Sequence, residues 1–336
     1  MTLDFSAKLA QAVQENLPFA LLRKPEENQV FLYVQDDTAQ QKISFHSFDS
    51  AIERSISDQN PAVISSKEFD FDFELKLTET VDGGGLTQME YEKIIQNTVA
   101  EIQQSNTRKV VMSRRKVQEN LSYHVLKSYR NLMEQQPNAL VFLWHYPEKE
   151  TWLGATPELL LSQKGNQLNT VSLAATKLPS ASWMEKEFDE QQIVTDFILD
   201  CFKGTENLQS IGPETVQAGK FQHLKTYISA EMPENFTIEN LLKKLHPTPA
   251  LCGLPKKAAF DYIVEHEGYD REFYAGYIGI QTKNSKTYFV NLRSAQLFSN
   301  QIWVYVGGGI TAESVPEKEW METELKSGTI LNALVQ

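Results

Sequence analysis

The sequence predicts an α+β fold in which two antiparallel β-sheets carry helices packed on their outer sides. Residues 139–175 alternate β-rich runs with the short polar breaks PEKE and QKGN, and residues 274–310 do the same around KNSK and SNQ. Breaks of this length form hairpins, which join antiparallel strands, whereas parallel strands need a long crossover. Helical stretches separate and follow the two strand-rich regions, so we expect the helices to cover the sheets.

The helical stretches are placed by their turns and caps. Gly83 to Gly85 break the chain, and Thr87 with Glu90 then forms a capping box that opens a helix over about 88–105. Further helices are expected near the N-terminus, over about 183–203, 237–245 and 256–267, and from 317 to the end.

The composition is that of a globular protein with an acidic surface. Its 336 residues contain 44 Asp and Glu against 32 Lys and Arg, and the net charge of -12 disfavours binding to nucleic acid or to anionic membranes. No apolar run reaches the ~20 residues that span a bilayer, and the N-terminal segment lacks a signal-peptide core, so a cytoplasmic location is expected. Cys201 and Cys252 stand outside any CxxC pattern and are expected to be buried thiols, without a zinc site or a disulfide.

The segment RKVVMSRRKV, residues 108–117, has the pattern of a β-strand and places Lys109 at the head of an apolar run. Alternation puts Lys109 and Val111 on one face of the strand and Val110 and Met112 on the other. Taken alone, the pattern fits a solvated charge at a strand end. The alternative is a buried amine with a chemical role, and the choice depends on the rest of the chain.

Two pairs of glutamates are each spaced three residues apart on expected helices. Glu187 and Glu190 form one pair and Glu319 and Glu322 the other, so the members of each pair share a helix face. Such spacing is common on solvated helices, but apolar residues flank both pairs, so neither helix faces only solvent. If the fold brings the pairs together, their carboxylates would suit Mg²⁺, which prefers oxygen ligands and often binds an anionic group of a substrate.

Residues 246–280, HPTPALCGLPKKAAFDYIVEHEGYDREFYAGYIGI, form the most specific motif of the chain. They resemble the chorismate-utilising enzymes, the family of isochorismate, salicylate, anthranilate and aminodeoxychorismate synthases. The resemblance continues in KVVMSRR, GATPELLL, VNLRSAQL and VGGGITAESVPEKEWMETELK, in the family's order, over about residues 86–332. It implies the fold of that family, with residues 1–85 as a variable N-terminal part of the same fold and 86–336 as a catalytic core that binds chorismate.

Two positions indicate which members the chain resembles most. The amine-transferring members carry glutamine in place of Lys109, so the lysine implies water as the nucleophile and no glutaminase subunit. Ala174 stands where aminodeoxychorismate synthases carry a nucleophilic lysine, which argues against a lysyl adduct. The resemblance is therefore strongest to the isochorismate synthases, which move the hydroxyl group of chorismate from C4 to C2. A salicylate synthase and a chorismate-binding protein without activity stay as alternatives.

The resemblance also implies roles for individual residues. Lys109 would be the base that activates water, Glu158 the acid that protonates the departing hydroxyl, and His246 a group that orients substrate or metal-bound water. Magnesium binding is implied for four glutamates, the first two as direct ligands and the others in the shell or on metal-bound water: Glu190, Glu322, Glu187 and Glu319. Substrate binding is implied for six further residues: Thr176, Tyr274, Arg293, Gly308, Gly309 and Lys326.

The chain departs from the family pattern beside the expected site. Ala175 replaces a glycine of the usual LAGT sequence, whose backbone approaches the ring carboxylate of chorismate, and Gln191 replaces a histidine one residue after Glu190. Because the expected acid, base and metal ligands are present, we interpret these changes as those of a divergent subgroup with an intact site. Chorismate and Mg²⁺ are the expected partners, and a monomer is favoured.

Overall fold

The computed structural model describes residues 4–80, 83–119, 122–177, 179–218 and 221–336. The helices are α1 (Phe5–Gln14), α2 (Gln88–Gln104), α3 (Val125–Gln135), α4 (Glu185–Cys201), α5 (Ile238–Leu245), α6 (Lys256–His266) and α7 (Pro316–Leu331). The strands are β1 (Phe19–Arg23), β2 (Gln29–Val34), β3 (Lys42–His46), β4 (Glu53–Ser57), β5 (Ala62–Ser65), β6 (Lys109–Glu119), β7 (Leu140–Tyr146), β8 (Glu150–Thr156), β9 (Leu159–Lys164), β10 (Gln167–Lys177), β11 (Glu206–Ala218), β12 (Phe221–Glu231), β13 (Gly253–Leu254), β14 (Tyr277–Gln281), β15 (Ser285–Val290), β16 (Ser294–Leu297) and β17 (Gln301–Ile310).

Over the described residues, these strands form two antiparallel sheets. The first sheet has nine strands in the order β13-β6-β17-β16-β8-β7-β1-β2-β5, and the second has eight in the order β11-β12-β10-β9-β15-β14-β3-β4. Helices α3 and α7 pack against the first sheet, and α4 packs against the second. The α+β fold expected from the sequence is therefore confirmed.

Two apolar clusters hold these layers together. In the cluster shared by the two sheets, Phe45 of β3 stacks on Phe273 with 4.4 Å between ring centroids and meets the edges of Phe142 and Trp152 from the first sheet. The other cluster joins the opposite face of the first sheet to α1 and α3. Strand β1 is consequently buried along its whole length, since both of its faces are covered.

The sheet pairing corrects the expected topology at a point that matters for function. The sequence predicts each strand-rich region as one meander, but the structure divides each region between both sheets. Strands β7 and β8 belong to the first sheet and β9 and β10 to the second, while β14 and β15 belong to the second and β16 and β17 to the first. The chain therefore crosses between the sheets at residues 157–158 and at 291–293. Alternation did not reveal this, because a strand with one buried face fits either sheet.

The helix boundaries agree with the sequence to within a few residues. The capping box of α2 is confirmed, because Glu90 N donates to Thr87 Oγ1 at 3.3 Å and Thr87 N donates to Glu90 Oε2 at 2.8 Å. Helix α7 ends at Leu331 and does not continue to the last residue. Helix α3 and the hairpin of β11 and β12 were not expected. The sequence of β11 is largely polar, and the alternation of Leu224, Ile228 and Ala230 in β12 was not recognised as a strand.

Residues before 86 supply strands to both sheets. Strand β1 pairs with β2 and β7 in the first sheet, and β3 pairs with β14 in the second. The division of the chain at residue 85 itself stays a prediction.

Two smaller expectations concern the cysteines and membrane spans. Cys201 and Cys252 are buried free thiols, as expected. Within the described ranges, no helix has the length and apolar character needed to cross a membrane.

Candidate active site

The two crossovers between the sheets lie side by side and bring Glu158 and Arg293 together. Ala155 N donates to Arg293 O at 3.1 Å, and Val290 N donates to Glu158 O at 3.0 Å, so each crossover is hydrogen-bonded to the strand end beside the other. Arg293 has a φ of 49°, a left-handed conformation that turns the chain between β15 and β16. Arg293 therefore lies at a turn, and its side chain enters the site beside Glu158.

Glu158 lies in surroundings that favour its protonated form. Burial raises the pKa of Glu158 to about 7, and the nearby positive charges of Arg293 and Lys109 offset that effect only in part. Burial likewise lowers the pKa of Arg293, while the carboxylate of Glu158 acts against this change. A carboxyl group that titrates near neutral pH is suited to give a proton to a leaving group.

Lys109 begins β6 and passes over the glycine-rich end of β17. In the β6–β17 register Val111 lies opposite Gly309, and a Cβ added to Gly309 would lie only 2.5 Å from Lys109 Cε. Glycine is needed there because any other side chain would displace the lysine. The Lys109 side chain is 17% exposed, and its Nζ donates to Glu190 Oε1 at 2.8 Å. The amine therefore lies against β17 and is paired with Glu190. It is not the solvated charge at a strand end that the local pattern fits.

Helix α4 carries Glu190, the second member of the first glutamate pair, to Lys109. Glu190 accepts the lysine hydrogen bond, while Glu187 Oε2 accepts from Met184 N at 2.8 Å and closes the first turn of the helix. The next residue, Gln191, is buried, and its Nε2 donates to Ser172 O of β10 at 3.1 Å. Gln191 thus fixes the helix against the second sheet one residue from Glu190.

Helix α7 carries the second pair of glutamates to the other side of β17. Ser314 Oγ donates to Glu319 Oε1 at 2.8 Å, and a Cβ added to Gly308 would lie 2.9 Å from Glu319 Oε2. Burial raises the pKa of Glu319, the Ser314 hydrogen bond acts against this, and the negative charge of Glu322 adds to it. A second glycine of β17 therefore leaves room for a partly buried carboxylate.

Lys326 lies one helical turn after Glu322 and contributes positive charge at the same edge. Its Nζ donates to Glu322 Oε1 at 2.6 Å and to Gly307 O at 2.8 Å. Each of the two expected direct metal ligands, Glu190 and Glu322, thus has a lysine as its ion-pair partner.

The glutamates of the two helices fit a divalent cation in their chemistry. Lys109 contacts Glu190 and is also an electrostatic neighbour of Glu319, so one carboxylate from each helix lies within the electrostatic range of the same amine. Burial is the main cause of the raised pKa of Glu319, and the negative charge of Glu322 adds to it; a bound cation would favour the charged form of both carboxylates. In the part of the chain that the structure describes, no group of three or more His, Cys, Asp or Glu side chains is gathered closely enough to hold a metal ion. Magnesium binding stays a prediction.

Strand β10 borders the site with a bulge between Ala174 and Thr176. Ala175 in this bulge has a φ of 59°, the left-handed region in which glycine is unstrained. Glycine, the residue that the resemblance implies at this position, would adopt this conformation without strain. The side chain of Thr176 lies outside the described part of the structure, so its role in substrate binding stays a prediction.

Tyr274 lies beside the crossover that carries Arg293. Its ring stacks on that of Tyr305 with 5.3 Å between centroids. The following residue, Ala275, is fixed by a hydrogen bond in which its backbone N donates to Asn291 O at 2.9 Å. Burial raises the pKa of Tyr274, so its hydroxyl group stays protonated and is suited to donate to an anion.

His246 lies in a different environment from Lys109 and Glu158. Its Nε2 is 3.0 Å from Ala275 O, its Nδ1 is 3.4 Å from Ser50 Oγ, and its ring meets that of Tyr277 edge to face. Burial lowers the pKa of His246 to about 4, so the ring is neutral. This arrangement fixes the loop that precedes Tyr277, and a catalytic role for His246 stays a prediction.

Sequence reasoning missed His223, which the structure brings to the site from β12. Its Nδ1 is 3.0 Å from Ala175 O, and its charged neighbours are Arg293, Lys326 and Glu322. Burial lowers the pKa of His223, although the hydrogen bond to Ala175 acts in the opposite direction. No local pattern marked this histidine, because β12 itself was not expected.

The chain is similar in sequence to isochorismate synthases. It is 29% identical over 261 residues to the isochorismate synthase MenF of Haemophilus influenzae, which covers 72% of this chain and 60% of the relative. It is also 29% identical over 268 residues to the salicylate biosynthesis isochorismate synthase of Pseudomonas aeruginosa, which covers 75% of this chain and 56% of the relative. The chain thus matches less than two thirds of the length of each relative.

The fold and the family follow from two wider matches. The solved structure of MenF, the menaquinone-specific isochorismate synthase from Escherichia coli, has a TM-score of 0.80 to this chain at 22% identity. That match covers 95% of this chain and 89% of the other, and it confirms the expected fold. A profile of the family described as chorismate binding enzyme matches residues 11–335. Because this match spans almost the whole chain, the protein belongs to the chorismate binding enzyme family.

Proposed function

We propose that the protein is a magnesium-dependent isochorismate synthase, which converts chorismate to isochorismate. The observation that carries the proposal is the presence in one site of the partly buried amine of Lys109 and the carboxyl group of Glu158, whose pKa is about 7. A base and a proton donor are the two groups needed to add water at C2 and release the hydroxyl group from C4. The activities named for the relatives in H. influenzae and P. aeruginosa support the same reaction.

The reaction follows from these two groups. To act as the base, Lys109 must first give up the proton that it carries in its ion pair with Glu190; it then takes a proton from a water molecule as the oxygen of that water bonds to C2 of the ring. The ring double bonds shift, the bond from C4 to its hydroxyl oxygen breaks, and Glu158 gives its proton so that the hydroxyl group leaves as water. Each turnover leaves a proton on Lys109 and removes one from Glu158, so a proton must return before the next cycle. Because one water molecule is added at C2 and one is released from C4, the substrate and the product are isomers.

The carboxylates of chorismate would be bound by separate groups. Arg293 and Tyr274 are suited to the enolpyruvyl carboxylate, because a guanidinium and a phenol both donate hydrogen bonds to it. The backbone of β17 at Gly308 and Gly309 would add hydrogen-bond donors for the substrate, and Lys326 adds positive charge. Mg²⁺ would supply positive charge to the ring carboxylate, held by the glutamates of α4 and α7. The product would feed menaquinone or catechol siderophore formation in the cytoplasm.

The test is product identification after incubation with chorismate and Mg²⁺, using chromatography. We expect isochorismate as the product, loss of activity with EDTA, and recovery when Mg²⁺ is added in excess. Salicylate with an equal amount of pyruvate would show a salicylate synthase and contradict the proposal. Binding of chorismate without turnover would show a binding protein, and anthranilate formed with ammonium would show an amine-transferring enzyme.

A further inference from the structure

A buried arginine on the strand of Lys109 links that strand to the helix of Glu319 and Glu322. Arg114 lies in β6, is 1% exposed, and faces α7. Its Nε donates to Thr323 Oγ1 at 2.9 Å, and its Nη2 donates to a carboxylate oxygen of Glu324.

The guanidinium plane of Arg114 is also fixed by aromatic rings. Its Cζ lies 3.7 Å from the centroid of the Trp320 ring and 5.7 Å from that of Tyr91 on α2. The Tyr91 hydroxyl donates to Met112 O of the same strand at 3.3 Å. A planar cation that stacks and donates in two directions holds a helix more rigidly than a single ion pair does.

The contacts of Arg114 define the rotation of α7 about its own axis. Trp320 and Thr323 point to the strand, with Ser327 one turn further along the same face. Glu319 and Glu322 are each one residue earlier, so they form an adjacent stripe about 100° around the helix. A small rotation or slide of the helix would therefore move both carboxylates away from the end of β17, where Glu319 lies beside Gly308 and has Lys109 as an electrostatic neighbour.

We propose that Arg114 is a positioning residue that sets the rotation and axial position of α7, and so holds Glu319 and Glu322 at the end of β17 that lies beside Lys109. This inference rests on the proposed function, because it takes those carboxylates as ligands of a divalent cation. It assigns to Arg114 a task that Lys116, two residues later on the same face of β6, does not share. Lys116 Nζ donates to Glu324 Oε2 at 2.6 Å and to Ser327 Oγ at 3.4 Å, further along α7 from the site.

The experiment compares Arg114→Lys with Lys116→Met as the matched control. Arg114→Lys keeps the charge but loses the planar stack and one of the two donor directions. Lys116→Met breaks an ion pair between the same strand and the same helix without touching Trp320 or Thr323. Thr323→Val is the second variant, since it removes the acceptor of Arg114 Nε at nearly constant volume. For each protein, the affinity for Mn²⁺ is measured by calorimetry without chorismate, together with kcat and the melting temperature.

We expect Arg114→Lys to weaken Mn²⁺ binding by roughly 10–100-fold, as loss of a partner that orients metal ligands does, and to lower kcat. Thr323→Val should also weaken Mn²⁺ binding and lower kcat, but by smaller factors than Arg114→Lys does. Lys116→Met should change neither the Mn²⁺ affinity nor kcat. A lower melting temperature with Mn²⁺ affinity and kcat close to those of the wild type would show a structural role only and overturn the inference. The absence of Mn²⁺ binding by the wild-type protein would overturn it as well.

The calorimetric measurement needs no turnover, so it separates this inference from the proposed function. A wild-type protein that binds Mn²⁺ but forms no isochorismate, with weaker binding in Arg114→Lys, would overturn the proposed function and support the role of Arg114.

Discussion

Lys109 and Glu190 form an ion pair with 2.8 Å between Nζ and Oε1, although 81 positions separate them in the sequence. The lysine side chain is 17% exposed and the glutamate side chain 42%, so the pair lies where a buried strand end meets the solvent-facing side of a helix. The pair joins the expected base to an expected metal ligand, and the first prediction tests the base.

Replacement of Lys109 by glutamine should abolish water addition and preserve the fold. The amide still donates a hydrogen bond towards Glu190 but accepts no proton, so we expect kcat to fall by ~10²–10⁴-fold, the usual contribution of a general base. Isochorismate formation and the melting temperature are the measurements. Lys127→Gln is the control, because Lys127 pairs with Asp72 on the surface. If Lys109→Gln turned over chorismate at the wild-type rate, Lys109 would not be the base, and its interpretation as a charge at a strand end would be correct.

The activity should fall as the pH rises through about 7, because Glu158 must be protonated to act as the acid. The pH dependence of kcat/KM measures this, and Glu158→Gln should remove most of the activity. Glu134→Gln, an exposed glutamate that pairs with Arg130, serves as the control and should keep the wild-type profile. A wild-type profile that is flat between pH 6 and 8 would contradict the role of Glu158 as the acid.

Glu158 should also make stability depend on pH in a defined direction. Its pKa is about 7 in the folded protein against an ordinary value of 4.5, so the fold favours the protonated group. This contribution to stability is complete below about pH 4.5 and is lost as the pH rises through about 7. The melting temperature of Glu158→Gln should therefore rise relative to that of the wild type between pH 5 and pH 8. A difference in melting temperature between the two proteins that stays constant from pH 5 to pH 8 would show that the fold does not raise the pKa of Glu158.

Replacement of Ala175 by glycine should stabilise the protein. Ala175 has a φ of 59°, and relief of the left-handed conformation is worth about 1 kcal/mol in the free energy of unfolding. Ala174→Gly is the matched control on the same strand, and it should destabilise by about 0.5–1 kcal/mol because glycine loses more chain entropy. Urea unfolding at equilibrium measures both changes. If both variants lost the same free energy of unfolding, the left-handed conformation of Ala175 would have no effect on stability and the prediction would be wrong.

The two histidines should respond differently to replacement by glutamine. His223 has Arg293, Lys326 and Glu322 as charged neighbours, so His223→Gln should lower kcat/KM with little change in melting temperature. His246 is buried against Ala275, so His246→Gln should lower the free energy of unfolding by about 1–3 kcal/mol, as loss of a buried hydrogen-bond partner does. Kinetic and urea measurements on both variants decide this. A stable His246→Gln with low turnover would establish His246 as the catalytic histidine.

Elements that depend on nearby residues could be predicted from the sequence. The capping box of Thr87 and Glu90 and the short hairpin turns each involve residues only a few positions apart, so their signals are local. The sheet crossovers at Glu158 and Arg293 could not be predicted in this way. Alternation shows that a strand has a buried face, but the choice between two sheets depends on the packing of the whole core.

The sequence by itself determined the α+β class, the acidic charge, the buried thiols and, through its motifs, the resemblance to the chorismate-utilising enzymes. Only the tertiary structure decided that Lys109 meets Glu190, that Glu158 lies partly buried beside Arg293, and that His223 reaches the site from an unexpected hairpin. The physical reason is that motifs and caps are properties of neighbouring residues, whereas proton affinity depends on removal from water and on charges brought together by folding.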